Sequence, residues 1–165
     1  MTILTILSYP DSRLRVKADP VTSFCASLAI LADGMADTMY HYKGIGLAAT
    51  QVDARKRIIV VDVSEKQNDL RVFVNPNVIE SSGKVVTREG CLSVPDVLGY
   101  VERPSKILLE YYTLRGKRCT MEADGLLAVC VQHEIDHLDG KVFIDHLEES
   151  ERLKAESFFS STNVD

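Results

Sequence analysis

His133, Glu134 and His137 stand in an H-E-x-x-H pattern within Gln132-His133-Glu134-Ile135-Asp136-His137-Leu138. On a helix, residues four apart lie on one face, so both imidazoles can reach one metal ion. Glu134 follows the first histidine by about 100° of rotation, beside the metal rather than on it. A carboxylate there is placed to act as general base for water at the metal. Two histidines leave the site incomplete, because a catalytic centre of this kind usually has three protein ligands plus water. A third histidine six residues beyond His137 is one known solution, but Phe143 occupies that position. Glu148, Glu149 and Glu151 lie in a charged stretch that reads as solvated. The upstream candidate is Cys91, in Glu89-Gly90-Cys91-Leu92-Ser93. Its thiolate would suit zinc or ferrous iron.

The element that must carry the histidines runs from Asp124 to Gly140. Asp124 can cap its N-terminus, and Gly140 can take the left-handed position after its last turn. On a helical wheel Leu126, Val129, Cys130, His133 and His137 share one side. Leu127, Ala128, Val131, Ile135 and Leu138 cover most of the rest, leaving a narrow polar sector at Gln132, Asp136 and Asp139. A helix apolar nearly all round is a buried central helix. Polar residues inside it are costly unless bonded or metal-bound. For Asp136 the pattern predicts an ion pair or backbone bond rather than chemistry.

Around it the chain reads as α+β. Residues 8–15 read as a turn region, and apolar spacing predicts an amphipathic helix from Val21 to Tyr42, ended by Gly44. Gly44-Ile45-Gly46-Leu47-Ala48-Ala49-Thr50-Gln51 reads as a tight turn into a short strand, with Gln51 able to donate into a site. Strands are predicted at Arg57–Val63, Val72–Glu80, Lys84–Arg88, Lys106–Leu114 and Arg118–Ala123. Ser81-Ser82-Gly83 and Arg115-Gly116-Lys117 read as hairpin turns, and Pro76, Pro95 and Pro104 as bends or edges. Strands so close in sequence imply antiparallel sheets packed around the central helix. No repeat or linker divides residues 1–165, so one domain is expected, with a short helix and a loose polar tail from about residue 148.

A chain of 165 residues can bury a core without disulfides. The formal net charge is −5, without a basic block, which argues against nucleic acid and anionic membrane as direct partners. The start lacks the pattern of a secretory signal, and no run is long enough to span a membrane. Cys25, Cys91, Cys119 and Cys130 form no C-x-x-C pair, so reduced thiols in a cytoplasm are expected.

Taken together, Gly44-Ile45-Gly46-Leu47-Ala48-Ala49-Thr50-Gln51, Glu89-Gly90-Cys91-Leu92-Ser93 and Gln132-His133-Glu134-Ile135-Asp136-His137 resemble the motifs of the peptide deformylase family, in that family's order. The resemblance runs from the Pro10-Asp11 region through Ile144. It implies a hydrolase that removes the N-formyl group from the initiator methionine of new polypeptides and releases formate. It implies Cys91, His133 and His137 as ligands of one divalent metal: ferrous iron in the cell, replaceable by zinc, nickel or cobalt. Glu134 would be the general base, and the Gln51 amide and Leu92 backbone N–H would donate to the developing oxyanion. Ile45 and Gly46 would meet the substrate backbone. Gly44, Ile45, Glu89, Val129, Cys130 and His133 would form the methionine pocket, with Glu89 paired to Arg103.

Two positions depart from well-studied members. Leu98 stands near the place of an arginine that contacts the peptide beyond the methionine, and Lys43 stands where an acidic residue is common. The acidic-leaning end, Leu147-Glu148-Glu149-Ser150-Glu151-Arg152, differs from the basic helix by which some relatives dock on the ribosome. An H-E-x-x-H metallopeptidase is a rival that needs another third ligand. A divergent binding module is a second rival, and it gives Glu134 no reason to be present.

Overall fold

A computed structural model describes residues 1–162. The helices are α1 (Ala26–His41), α2 (Gly125–Leu138) and α3 (Glu149–Thr162). The strands are β1 (Gly46–Ala48), β2 (Ile58–Val61), β3 (Arg71–Ser82), β4 (Val85–Cys91), β5 (Val94–Arg103), β6 (Lys106–Tyr112) and β7 (Arg118–Asp124). A five-stranded sheet has the order β1-β2-β3-β6-β7, and β4 and β5 form a second sheet of two strands. Every pairing between these strands is antiparallel. The α+β expectation therefore holds.

The continuous apolar run of β2 follows from its position. Successive side chains of a strand face opposite ways. Ile58 and Val60 join Leu28, Ala32, Met35 and Met39 of α1. Ile59 and Val61 pack with Ala128, Val131 and Leu138 of α2. The larger sheet is thus covered by α1 on one face and by α2 on the other. The smaller sheet meets α2 from its far side through polar contacts, among them Glu89 with His133 and Arg103 with Asp136.

Several boundaries differ from the sequence reading. Helix α1 starts at Ala26 rather than Val21. The Asn75 side chain holds Val21 as a strand partner would, accepting from its N–H at 2.8 Å and donating to its C=O at 2.9 Å, so that residue cannot enter a helix. Ser81-Ser82-Gly83 is not a hairpin, because β3 pairs with β6 and β4 with β5. Instead it carries the chain from one sheet to the other, with Gly83 at φ +71°. Arg115-Gly116-Lys117 does close the β6–β7 hairpin, where Thr113 N–H donates to Lys117 C=O at 2.9 Å. Strand β5 was not foreseen. Its inward positions are Gly99, Val101 and Arg103 and its outward ones Leu98, Tyr100 and Glu102, an inverted pattern that hides the period. The stretch beyond Leu147 forms α3, whose Ala155 and Phe159 are buried against Val94, Phe143 and Ile144. The helix expected there is thus present, and it is docked on the core rather than loose. The loose end expected at residues 163–165 lies outside the described residues.

Candidate active site

Helix α2 begins after Asp124, which takes the N-cap position without a side-chain cap bond, and ends before Gly140 at φ +77°. Gly140 is required there twice over, since a Cβ would also lie 2.5 Å from the Arg15 carbonyl oxygen. Between these ends His133 and His137 lie one turn apart, edge to face, with ring centroids 5.1 Å apart. Cys91 reaches them from the end of β4. The β4–β5 register shifts between Glu89 and Cys91, and an irregularity of this kind re-aims a side chain. Cys91 Sγ lies 3.2 Å from His137 Nε2, and the ligand atoms of Cys91, His133 and His137 all fall within 4.8 Å of one another.

Each of these side chains is held from behind. His133 Nδ1 is 2.8 Å from Glu89 Oε1, so with the carboxylate accepting the ring proton the other nitrogen keeps its lone pair for a metal. Glu89 is gripped by Arg103 through two bonds, at 2.6 and 2.9 Å. Arg103 also donates to Asp136 at 2.9 Å, and Asp136 meets His146 at 2.8 Å. Burial alone would raise the Glu89 carboxyl, but the bonds from His133 and Arg103 overcome it and keep it ionised. His137 is lowered well below the ordinary imidazole value by burial and by neighbouring His133, and so stays neutral. Its backbone carbonyl accepts from the Thr50 hydroxyl at 3.0 Å.

Gln51 lies in the 3₁₀ turn Ala49–Val52. Its Oε1 accepts from the Ala48 N–H at 2.9 Å, and its Nε2 donates to Ser93 Oγ at 3.0 Å and approaches Cys91 Sγ at 3.5 Å. The amide therefore points toward the thiol. Glu134 is buried, and one carboxylate oxygen has no partner among the described residues. Burial pushes its carboxyl up to about 7. A carboxyl so poised can both take and return a proton near neutral pH.

The donor set fits a catalytic metal. A thiol, a neutral imidazole and an oriented imidazole are three donors, and a closed structural site would need four. No fourth candidate joins them among the described residues. Cys130 does not compete, because burial first, and then the Glu134 charge, raise its thiol well above the usual value. A cavity of about 360 Å³ opens beside the triad. Gly44, Ile45, Gly46, Gln51, Glu89 and Cys91 line it from the strand side, with Leu92 beside them. Val129, Cys130, His133 and Glu134 line it from α2. Every site residue anticipated from sequence is thus at the cavity except His137, which is 1% exposed. Ser93 and Thr50 were not anticipated as supports, although both lie inside the quoted motifs. Thr87 and Arg88 also line the cavity without any sequence signal of their own, as does Leu126, which the helical wheel places on the histidine side.

The sequence model of the polypeptide deformylase family matches residues 3–153. The chain belongs to this family. A peptide deformylase of Polynucleobacter necessarius is 52% identical over 89% of this chain and 86% of its own. Among solved structures, a peptide deformylase of Legionella pneumophila superposes with a TM-score of 0.91, at 39% identity and 99% coverage of both chains. One of Ehrlichia chaffeensis, in complex with actinonin, superposes with the same score of 0.91 at 37% identity and full coverage of both. The protein is therefore an enzyme of the deformylase class, a metal-dependent hydrolase of protein biosynthesis that removes formyl groups from nascent polypeptides.

Proposed function

We propose that the chain is a single catalytic domain acting on the formyl-methionine start of nascent peptides, with Cys91, His133 and His137 holding one divalent metal, ferrous iron in the cell. The observation that carries this reading is the gathering of those three donors beside a buried, half-unpartnered Glu134 at the floor of a cavity. When bound, such a metal supplies Lewis acidity and makes water a nucleophile near neutral pH.

The protein's own groups do the rest. Glu134 takes a proton from the attacking water and returns it to the leaving amine, so that formate and a free N-terminus result. The Gln51 amide and the Leu92 N–H stabilise charge on the formyl oxygen. Glu89 and Arg103 fix the orientation of His133. The substrate backbone enters between two strand edges. β1 is the outer strand of the large sheet, and β4 has a partner on one side only. Both edges can add a peptide strand through main-chain bonds. Gly46 permits that approach directly over Glu134, because a Cβ there would stand 2.9 Å from Glu134 Oε1. Val129, Cys130 and Leu126 offer the methionine an apolar wall.

A cytoplasmic setting is consistent with four free cysteines. No helix among the described residues is long and apolar enough to cross a membrane. Docking on the ribosome through α3 is not favoured, since Glu149 and Glu151 occupy its first turn and no basic residue its last.

The test is formate release from formyl-Met-Ala-Ser by protein purified without oxygen and loaded with ferrous iron, nickel or zinc. Release of formate, with unformylated Met-Ala-Ser left intact, is expected. Peptide-bond cleavage without formate would instead indicate a metallopeptidase.

A further inference from the structure

Two cations stand at the mouth of the cavity, Lys43 just before β1 and Arg88 on β4. Neither side chain has an ion-pair or hydrogen-bond partner among the described residues. The nearby carboxylates are either buried or engaged elsewhere. Glu89 and Glu134, the two acids of the cavity, are buried, and Glu89 is bound to Arg103 and His133. Glu102 on β5 pairs with Lys84 at 3.7 Å. In a chain of net charge −5, this rim is a local reversal of the overall field.

The backbone at Lys43 adds a second observation. Helix α1 closes with Gly44 N–H donating to Met39 C=O at 2.9 Å and Lys43 N–H to Tyr40 C=O at 3.0 Å. This bond pair puts Lys43 in the left-handed position after the helix, at φ +58°, where glycine is the unstrained choice. A long charged side chain is therefore kept at the rim at a backbone cost. Such local strain points to a role for the side chain itself.

Placement completes the argument. Lys43 lies three residues before Gly46, which covers Glu134, and Arg88 lies three residues before Cys91. Three residues of chain span at most about 10 Å, so both cations stand within that distance of Gly46 and Cys91 along the two walls. An extended peptide whose formyl group occupies the reacting centre reaches the same distance with its second and third residues, at roughly 3.5 Å per residue.

We infer that Lys43 and Arg88 form a cationic rim that selects formyl-methionyl peptides with an aspartate or glutamate at the second or third residue. The inference rests on the deformylase reading and names its preferred substrate class. Exposed ion pairs are weak, worth about 0.2–1 kcal/mol, so the preference for an acidic over a neutral peptide is about 2- to 5-fold in kcat/KM, carried mainly by KM.

The experiment compares formyl-Met-Ala-Ser, formyl-Met-Glu-Ser, formyl-Met-Ala-Glu and formyl-Met-Lys-Ser on the metal-loaded wild type, on Lys43→Gly, on Arg88→Gln and on the double variant. Lys43→Gly relieves the left-handed strain, so its melting temperature should equal or exceed the wild type's, and a lost preference cannot then be blamed on folding. The acidic-to-neutral ratio should fall toward one in the double variant and in about 0.5 M salt. A ratio of one in the wild type, or a preference that survives both the double variant and salt, overturns the inference. Absence of formate even from formyl-Met-Ala-Ser overturns the deformylase reading itself, and the cationic-rim inference with it.

Discussion

Substituting Gly46 by alanine probes the closest packing in the site. The backbone there is not left-handed, so the effect of a methyl group is steric alone. The added Cβ would lie 2.7 Å from Cys130 Sγ, 2.9 Å from Glu134 Oε1 and 3.0 Å from Glu134 Cγ. Ordinary contact requires the Glu134 carboxylate to retreat by about 0.5 Å, the limit within which catalytic groups must be held. A misplacement of that order lowers kcat/KM by about 10- to 100-fold. Overpacking at a buried site also costs about 1–3 kcal/mol, or roughly 2–12 °C in Tm for a chain of this size. Formate release and thermal melting of Gly46→Ala measure the two effects separately. In Gly46→Ala with Cys130→Ala the sulfur clash disappears while the carboxylate clash stays, so Tm should recover partly and the rate should not. A folded Gly46→Ala enzyme with wild-type kcat/KM would refute the placement of Glu134 under the substrate path.

Arg103→Leu leaves Glu89 and Asp136 without their shared cation, and a broken buried pair costs about 3–5 kcal/mol. Loosening of Glu89 on His133 should also lower metal affinity about 10- to 100-fold, measured by chelator competition, and unchanged affinity would remove Arg103 from that support. Burial would raise the Asp62 carboxyl, but bonds from Ser64 and Tyr40, with the Ser64 and Asp69 amides, outweigh it and hold it at about 2. A depressed folded pKa gives stability that is present above the unfolded value of about 3.9 and lost as pH falls through the folded one. Asp62→Asn should therefore flatten the loss of stability between about pH 4 and pH 2, and an identical acid-unfolding profile would count against the cluster. Removing the metal should lower stability by about 2.7 kcal/mol relative to metal at a hundredfold its Kd, seen as a fall in Tm, and a Tm indifferent to chelator would mean that the folded state does not hold the ion.

Helix α2, which carries the H-E-x-x-H residues, was legible because its signals are local. A four-residue spacing, an apolar wheel and a terminal glycine all lie within 125–140, and Gly140 takes the left-handed angle the pattern requires. The proposed third ligand was legible only through its motif, because nothing local brings Cys91 to α2. A register shift at the end of β4 does so. Strand β5 was missed because Arg103 faces inward to serve Glu89 while Leu98 and Tyr100 face out. The site thus inverts the hydrophobic alternation that would have revealed the strand. The start of α1 was misplaced because Asn75, more than fifty residues away, holds Val21 extended. The turn at Ser81-Ser82-Gly83 looks like a hairpin locally, and only the competing β3–β6 pairing decides otherwise. The hydrogen bonds of Ser93 to Gln51 and of Thr50 to His137 are long-range contacts with no periodic trace.

The division of labour between Glu134 and the three ligands is best tested on Glu134→Ala loaded with nickel. This variant should bind one equivalent of metal like the wild type, yet release formate from formyl-Met-Ala-Ser at least about a hundredfold more slowly. Release at the wild-type rate would contradict Glu134 as the proton carrier, and loss of the metal would contradict its separation from Cys91, His133 and His137.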